Sequence, residues 1–230
     1  MSTPVAVIDI SIRIEEIEKL GLTREDLLFR CQRCKGNLLP SIARGRERED
    51  TSPLEKDLIN QLRLSGASLI PDSIDTDLDL LVLAQHFGLR TRLLDWTSNP
   101  LAALWFACAD RDKGDVYLYA LDYTNFQDKQ VYEKPPFFHR KTRVFQPRLN
   151  NSRINAQHGW FTLHPFSTNT NCFFPLDKNG EIKKSIYEYA IPEGKRQQFL
   201  IQLDRLGVSE RTLFPDLQGL CRYLNWRHVA

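Results

Sequence analysis

The 230-residue chain is short of several things, and each shortage excludes a class of function. Its formal net charge is only +2 and its pI about 8.3, so no strong overall charge announces a nucleic-acid binder. No unbroken apolar run approaches the ~20 residues that span a bilayer, so no segment reads as transmembrane. Asp9 interrupts the short apolar run near the N-terminus and no cationic leader precedes it, so no secretory signal is expected. Five cysteines, an odd number, then point to reduced thiols and a cytoplasmic protein. Cys31 and Cys34 form one CxxC, but zinc needs about four ligands and no second pair exists. The five histidines show no HxxxH or HxH spacing, so no metal is expected. Neither GxxxxGK[ST] nor GxGxxG occurs, which removes the familiar phosphate loops.

What is present is an ordinary core-forming composition, 42% hydrophobic and 26% charged, with no repeat and no linker. One domain is expected at this length. Residues 1–10 read as a loose terminus, and the stripe Ile12, Ile14, Ile17, Leu20 as a helix ended by Gly21. Leu27–Gln32 reads as a strand, Leu54–Leu64 as an amphipathic helix, and Asp75–Ala84 as a helix capped by Asp75 or Thr76. Asp115–Leu121, Trp160–Leu163 and Tyr187–Ile191 read as strands. Residues 122–150 show no period. Gly194–Leu206 is helical, and Ser209 caps a last helix running to about Tyr223, with Pro215-Asp216 as a turn inside it. The order predicts an α+β fold: a single domain, with a mixed β-sheet flanked by helices.

The richest stretch is residues 80–108. Leu80–Ala84 is the buried end of a helix that His86 and Gly88 close, Gly88 because a C-cap needs φ > 0. Thr91–Trp96 runs extended. Thr97-Ser98-Asn99-Pro100 starts the next helix, which is apolar all round and must be buried. Gln85-His86-Phe87-Gly88, Thr91-Arg92-Leu93-Leu94-Asp95-Trp96-Thr97 and Asn99–Ala107 resemble the signature of the FRG domain. That family is named for a Phe-Arg-Gly triplet, which here is Phe29-Arg30-Cys31. Arg153–Phe161 and Leu213–Leu217 resemble further blocks of it. The resemblance implies an N-terminal extension and helix over 1–19 and an FRG domain over 20–225, in a protein of bacterial or phage-related kind.

A second similarity bears on chemistry. ADP-ribosyltransferases carry an early strand with arginine or histidine, a Ser-Thr-Ser-like corner before an apolar helix, and a late strand with a catalytic glutamate. Arg30, then Trp96-Thr97-Ser98, then Gln157 stand in that order here. The similarity implies NAD as substrate, with Arg30, Thr97 and Gln157 as catalytic residues. Gln32, His86, Arg92, Trp96, Ser98, Trp160 and Phe161 would bind the dinucleotide, Trp160 or Phe161 by stacking on nicotinamide. Gln157 departs from the pattern because it brings no negative charge to an oxocarbenium ion; Asp95 or Asp216 is left to supply it.

Other readings stay open. Arg30 can be a strand-end arginine salt-bridged to Asp95 or Asp216, and the 85–98 knot a structural network with Arg92–Asp95 as an internal pair. Arg140, Lys141 and Arg143 lie among Phe137, Phe138 and Phe145, a mixture that suits single-stranded nucleic acid. The chain is then either a toxin or defence effector that transfers ADP-ribose to nucleic acid or protein, or a non-catalytic module that binds nucleic acid or a cognate protein.

Overall fold

A computed structural model describes residues 5–6, 26–110, 113–148 and 151–229. The expected helix over 12–20 lies outside the described residues. Among the described residues seven strands form one sheet: β1 (Val5–Ala6), β2 (Leu27–Gln32), β3 (Leu93–Thr97), β4 (Val116–Asp122), β5 (Arg143–Phe145), β6 (Gly159–Leu163) and β7 (Ile186–Ile191). Their order is β1-β7-β4-β2-β3-β6-β5. Every pairing is antiparallel except β1 with β7, so the sheet is mixed and the fold is single-domain α+β. Val5 and Ala6 belong to an edge strand, which corrects the loose-terminus reading at those two residues; the rest of 1–10 lies outside the described residues.

The helices are α1 (Ser52–Ser65), α2 (Asp77–His86), α3 (Pro100–Ala109), α4 (Ser152–Ala156), α5 (Arg196–Arg205), α6 (Glu210–Leu213) and α7 (Leu217–His228). Side chains alternate across each strand, and here both sheet faces are buried. Leu27, Phe29, Leu118 and Ala120 pack under α3 and α5. Leu93, Phe161 and Leu163 pack under α2. On the opposite face Leu28, Leu94, Trp96, Tyr119 and Trp160 lie under the Leu38, Leu176 and Ile182 loops.

Helix ends follow their caps. Thr76 accepts from the Asp79 amide and starts α2, and Gly88 at φ +91° ends it. Asn99 accepts from the amides of Leu101 and Ala102, ahead of Pro100. The last helical segment is broken: Ser209 begins only four-residue α6, and Asp216 accepts from the Gly219 amide as N-cap of α7. Asp216 is therefore a helix start and not a turn within one helix.

The join between β2 and β3 is a single residue pair, Phe29 with Thr97. Beyond it β2 continues against β4 while β3 continues against β6, so the two halves of the sheet part at Arg30.

Candidate active site

At that parting lies an open cavity of about 410 Å³, walled by α2, α3 and α4. Arg30, Gln85, His86, Asp95, Thr97, Arg153 and Gln157 line it, with Phe106, Phe161 and Phe214 among the apolar lining. Arg30 Nη1 donates to the Asp95 main-chain carbonyl at 2.8 Å and to Asp95 Oδ2 at 2.8 Å. A carbonyl left without a strand partner is costly unless another donor reaches it, and the guanidinium does so here. The Arg30 side chain is only 9% exposed, whereas Asp95 is 65% exposed. Gln85 Nε2 donates to Asp95 Oδ1 at 3.1 Å, and Thr91 Oγ1 in turn donates to Gln85 Oε1. Enclosure works to raise the Asp95 pKa, but the Arg30 charge and these hydrogen bonds outweigh it and hold the carboxyl below its ordinary range.

Thr97 joins the end of β3 to the turn before β6. Its Oγ1 donates to the Gln157 carbonyl at 2.6 Å and accepts from the Asn99 amide at 3.0 Å. Gln157 Nε2 donates to the Leu213 carbonyl at 3.1 Å, which fixes the amide against α6. His158, at φ +50°, completes the turn. His86 is half-buried; burial first, then the Arg153 charge, depress its pKa, so its imidazole is neutral at pH 7.

Two groups in the cavity wall were not foreseen. Arg153, on α4, pairs through Nε with Asp216 Oδ2 at 2.6 Å and lies 5.4 Å over the Phe214 ring. Phe106 and Phe214 meet edge to face at 6.0 Å. Arg153 and Phe214 fall inside the segments that resemble the family, but neither side chain has a local pattern that marks a role.

The expected site residues divide. Arg30, Thr97, Gln157, His86, Trp96 and Phe161 border the one cavity. The Trp96 indole is buried and donates to Thr162 Oγ1 at 3.1 Å, so its ring is not offered to a dinucleotide. Trp160 is buried against Tyr123 at 4.8 Å on the other sheet face, while Phe161, one residue on, faces the cavity. Arg92 is 1% exposed and pairs with Glu55 Oε2 at 2.7 Å, so it neither binds a dinucleotide nor pairs with Asp95. Gln32 lines a different cavity and donates to the Cys34 carbonyl at 2.8 Å. Ser98 is exposed and does not line the first cavity; its amide donates to the His158 carbonyl at 3.1 Å. Asp216 meets Arg153 and not Arg30 or Arg92.

In the basic run, Lys141 Nζ lies 3.4 Å from Glu181 and Arg143 Nε 3.4 Å from Asp128, and Arg140 is exposed. Among the described residues no group of three or more His, Cys, Asp or Glu could hold a metal, and no helix is long and apolar enough to cross a membrane. No curated protein and no solved structure matches the chain. Residues 25–116, which include β2, β3, Arg30, Gln85, Asp95 and Thr97, match the FRG domain: the chain carries an FRG domain.

Proposed function

We propose that the chain is an ADP-ribosyltransferase-like enzyme that takes NAD into the Arg30–Asp95 cavity and transfers its ADP-ribose to an acceptor. The observation that supports this is the convergence of Arg30, Asp95, Thr97 and Gln157 on one open cavity whose wall also carries Phe106, Phe161 and Phe214. A cavity of about 410 Å³ falls within the ~300–1,000 Å³ range of small-molecule sites.

In the proposed step the bond between ribose C1′ and the pyridinium nitrogen breaks. Its electron pair goes to nitrogen, neutral nicotinamide leaves, and the positive charge spreads over C1′ and the ring oxygen. Asp95 supplies the anion that this cation needs, the part that Gln157 cannot play. Arg30 and Gln85 keep that carboxylate ionised and oriented before the substrate arrives, so no reorganisation is required as charge develops. Gln157, held by Leu213, accepts a hydrogen bond from a ribose hydroxyl, and an aromatic ring of the wall stacks on nicotinamide. The acceptor oxygen or nitrogen then bonds to C1′ and releases its proton to solvent.

The test is incubation of the full chain with NAD labelled on the nicotinamide ring, alone and with RNA, DNA and protein acceptors. Release of free nicotinamide above the protein-free rate supports the proposal. No release with any acceptor, at protein concentrations where the fold is intact, rejects it.

A further inference from the structure

A second cavity, of about 660 Å³, lies beyond Cys31 and Phe106, and both residues also line the first cavity. The two cavities are therefore neighbours that share this wall. The charged lining of the second is Arg33, Arg44 and Lys113 against Asp110 and Asp115. The carboxylates are engaged: Asp110 lies 3.6 Å from Arg33 Nε, and Asp115 Oδ1 accepts from the Glu193 amide at 3.1 Å.

Arg44 is placed differently. Its Nε donates to the Leu39 carbonyl at 3.1 Å, which anchors the guanidinium at its base. Among the described residues no carboxylate pairs with Arg44 or with Lys113. Burial first, then the Arg30 charge, lower the Arg44 pKa; Asp95, whose carboxylate is hydrogen-bonded to Arg30, opposes this only in part. Among the described residues, two cations with no ion-pair partner thus line the second cavity, whose wall at Cys31 and Phe106 is shared with the first. A planar fork anchored at one nitrogen and open at the others is suited to the oxygens of a phosphate group, and a nearby ammonium adds a point charge.

We infer that this wall is a diphosphate subsite: Arg44 grips the diphosphate, Lys113 adds charge from across the cavity, and the remainder of the ligand passes Cys31 into the first cavity. This depends on the NAD reading only for what fills the first cavity. The class of ligand is a nucleoside diphosphate or a compound containing one.

The experiment is calorimetric titration of the full chain with ADP and, separately, with inorganic pyrophosphate, both without divalent metal. Both bind the wild type, ADP more tightly because the subsite serves a nucleotide. Arg44→Ala weakens both by about 10-fold or more, the loss of a charged hydrogen bond of at least ~1.4 kcal/mol. Arg44→Lys, which keeps the charge without the fork, falls between. Equal affinity in the wild type and a folded Arg44→Ala, or no binding of either compound by the wild type, overturns the subsite. Pyrophosphate binding tighter than ADP assigns it to free diphosphate and overturns the nucleotide class. Nicotinamide release from NAD, read on the same proteins, separates the two proposals. Release without ADP or pyrophosphate binding removes the subsite alone; Arg44-dependent ADP binding without release supports the subsite and counts against NAD cleavage.

Discussion

Arg30 and Asp95 meet across the split in the sheet, and the guanidinium occupies the place of the missing ladder by binding both the carbonyl and the carboxylate of one residue. The pair is at once a structural clasp and the charged floor of the cavity. Arg30→Ala therefore does not leave stability untouched. It strips two charge-assisted hydrogen bonds from a side chain that is 9% exposed, and a loss of about 2–4 kcal/mol is expected in urea denaturation. Arg30→Lys, which retains the charge but loses the fork, is expected to lose less.

Thr97 makes the second clasp. Thr97→Val keeps the shape but removes the donor to Gln157 and the acceptor for Asn99, and a destabilisation of about 1–3 kcal/mol is expected. Thr97→Ser keeps both and should stay near the wild type. The two variants compared by thermal melting separate the hydroxyl from the packing of the methyl group.

The Glu55–Arg92 pair is buried on both sides and sets α1 against β3. Burial raises the Glu55 pKa, while Arg92 and its hydrogen bonds oppose that rise. Arg92→Leu alone leaves an uncompensated carboxyl and should cost about 3–5 kcal/mol. The double variant Glu55→Met/Arg92→Leu should recover most of that loss. A double variant as unstable as Arg92→Leu would show that the pair contributes more than mutual neutralisation.

His164 gives an acid response. It is 1% exposed, and burial, then the Arg30 and Arg92 charges, push its pKa from 6.5 down to about 3. The unfolded chain binds this proton at a higher pH than the folded one. The stabilisation is therefore complete above pH 6.5 and is lost as the pH falls toward 3. His164→Asn should flatten the stability profile between about pH 6.5 and 5.5, above the range where ordinary carboxylates titrate. An unchanged slope would assign the acid response to other groups.

Where an element carries its own local signal, the sequence reading and the structure agree. Leu27–Gln32 is a strand, Asn99-Pro100 starts a helix, and Gly88 ends one. Elements too short for a period escaped: β5 has three residues in a proline-rich stretch, and α4 has five. Partners across long separations escaped too. Arg92 and Asp95 are three apart in an extended segment and so lie on opposite faces, which rules out their pairing; Arg92 finds Glu55, 37 residues away. The same two-residue period separates Trp160, in the far core, from Phe161, in the cavity wall. A strand partner and its register decide which face serves the site, and neither can be read from one short strand.

The central claim is that Asp95 supplies the charge that Gln157 lacks, and Asp95→Asn tests it most directly. Asn keeps the size of the group and a carbonyl oxygen for Arg30, so the thermal midpoint should fall only slightly. The kcat for nicotinamide release from NAD should fall about 100-fold or more, the scale of one lost electrostatic contact to a transition state. A folded Asp95→Asn that releases nicotinamide at the wild-type rate would contradict the account.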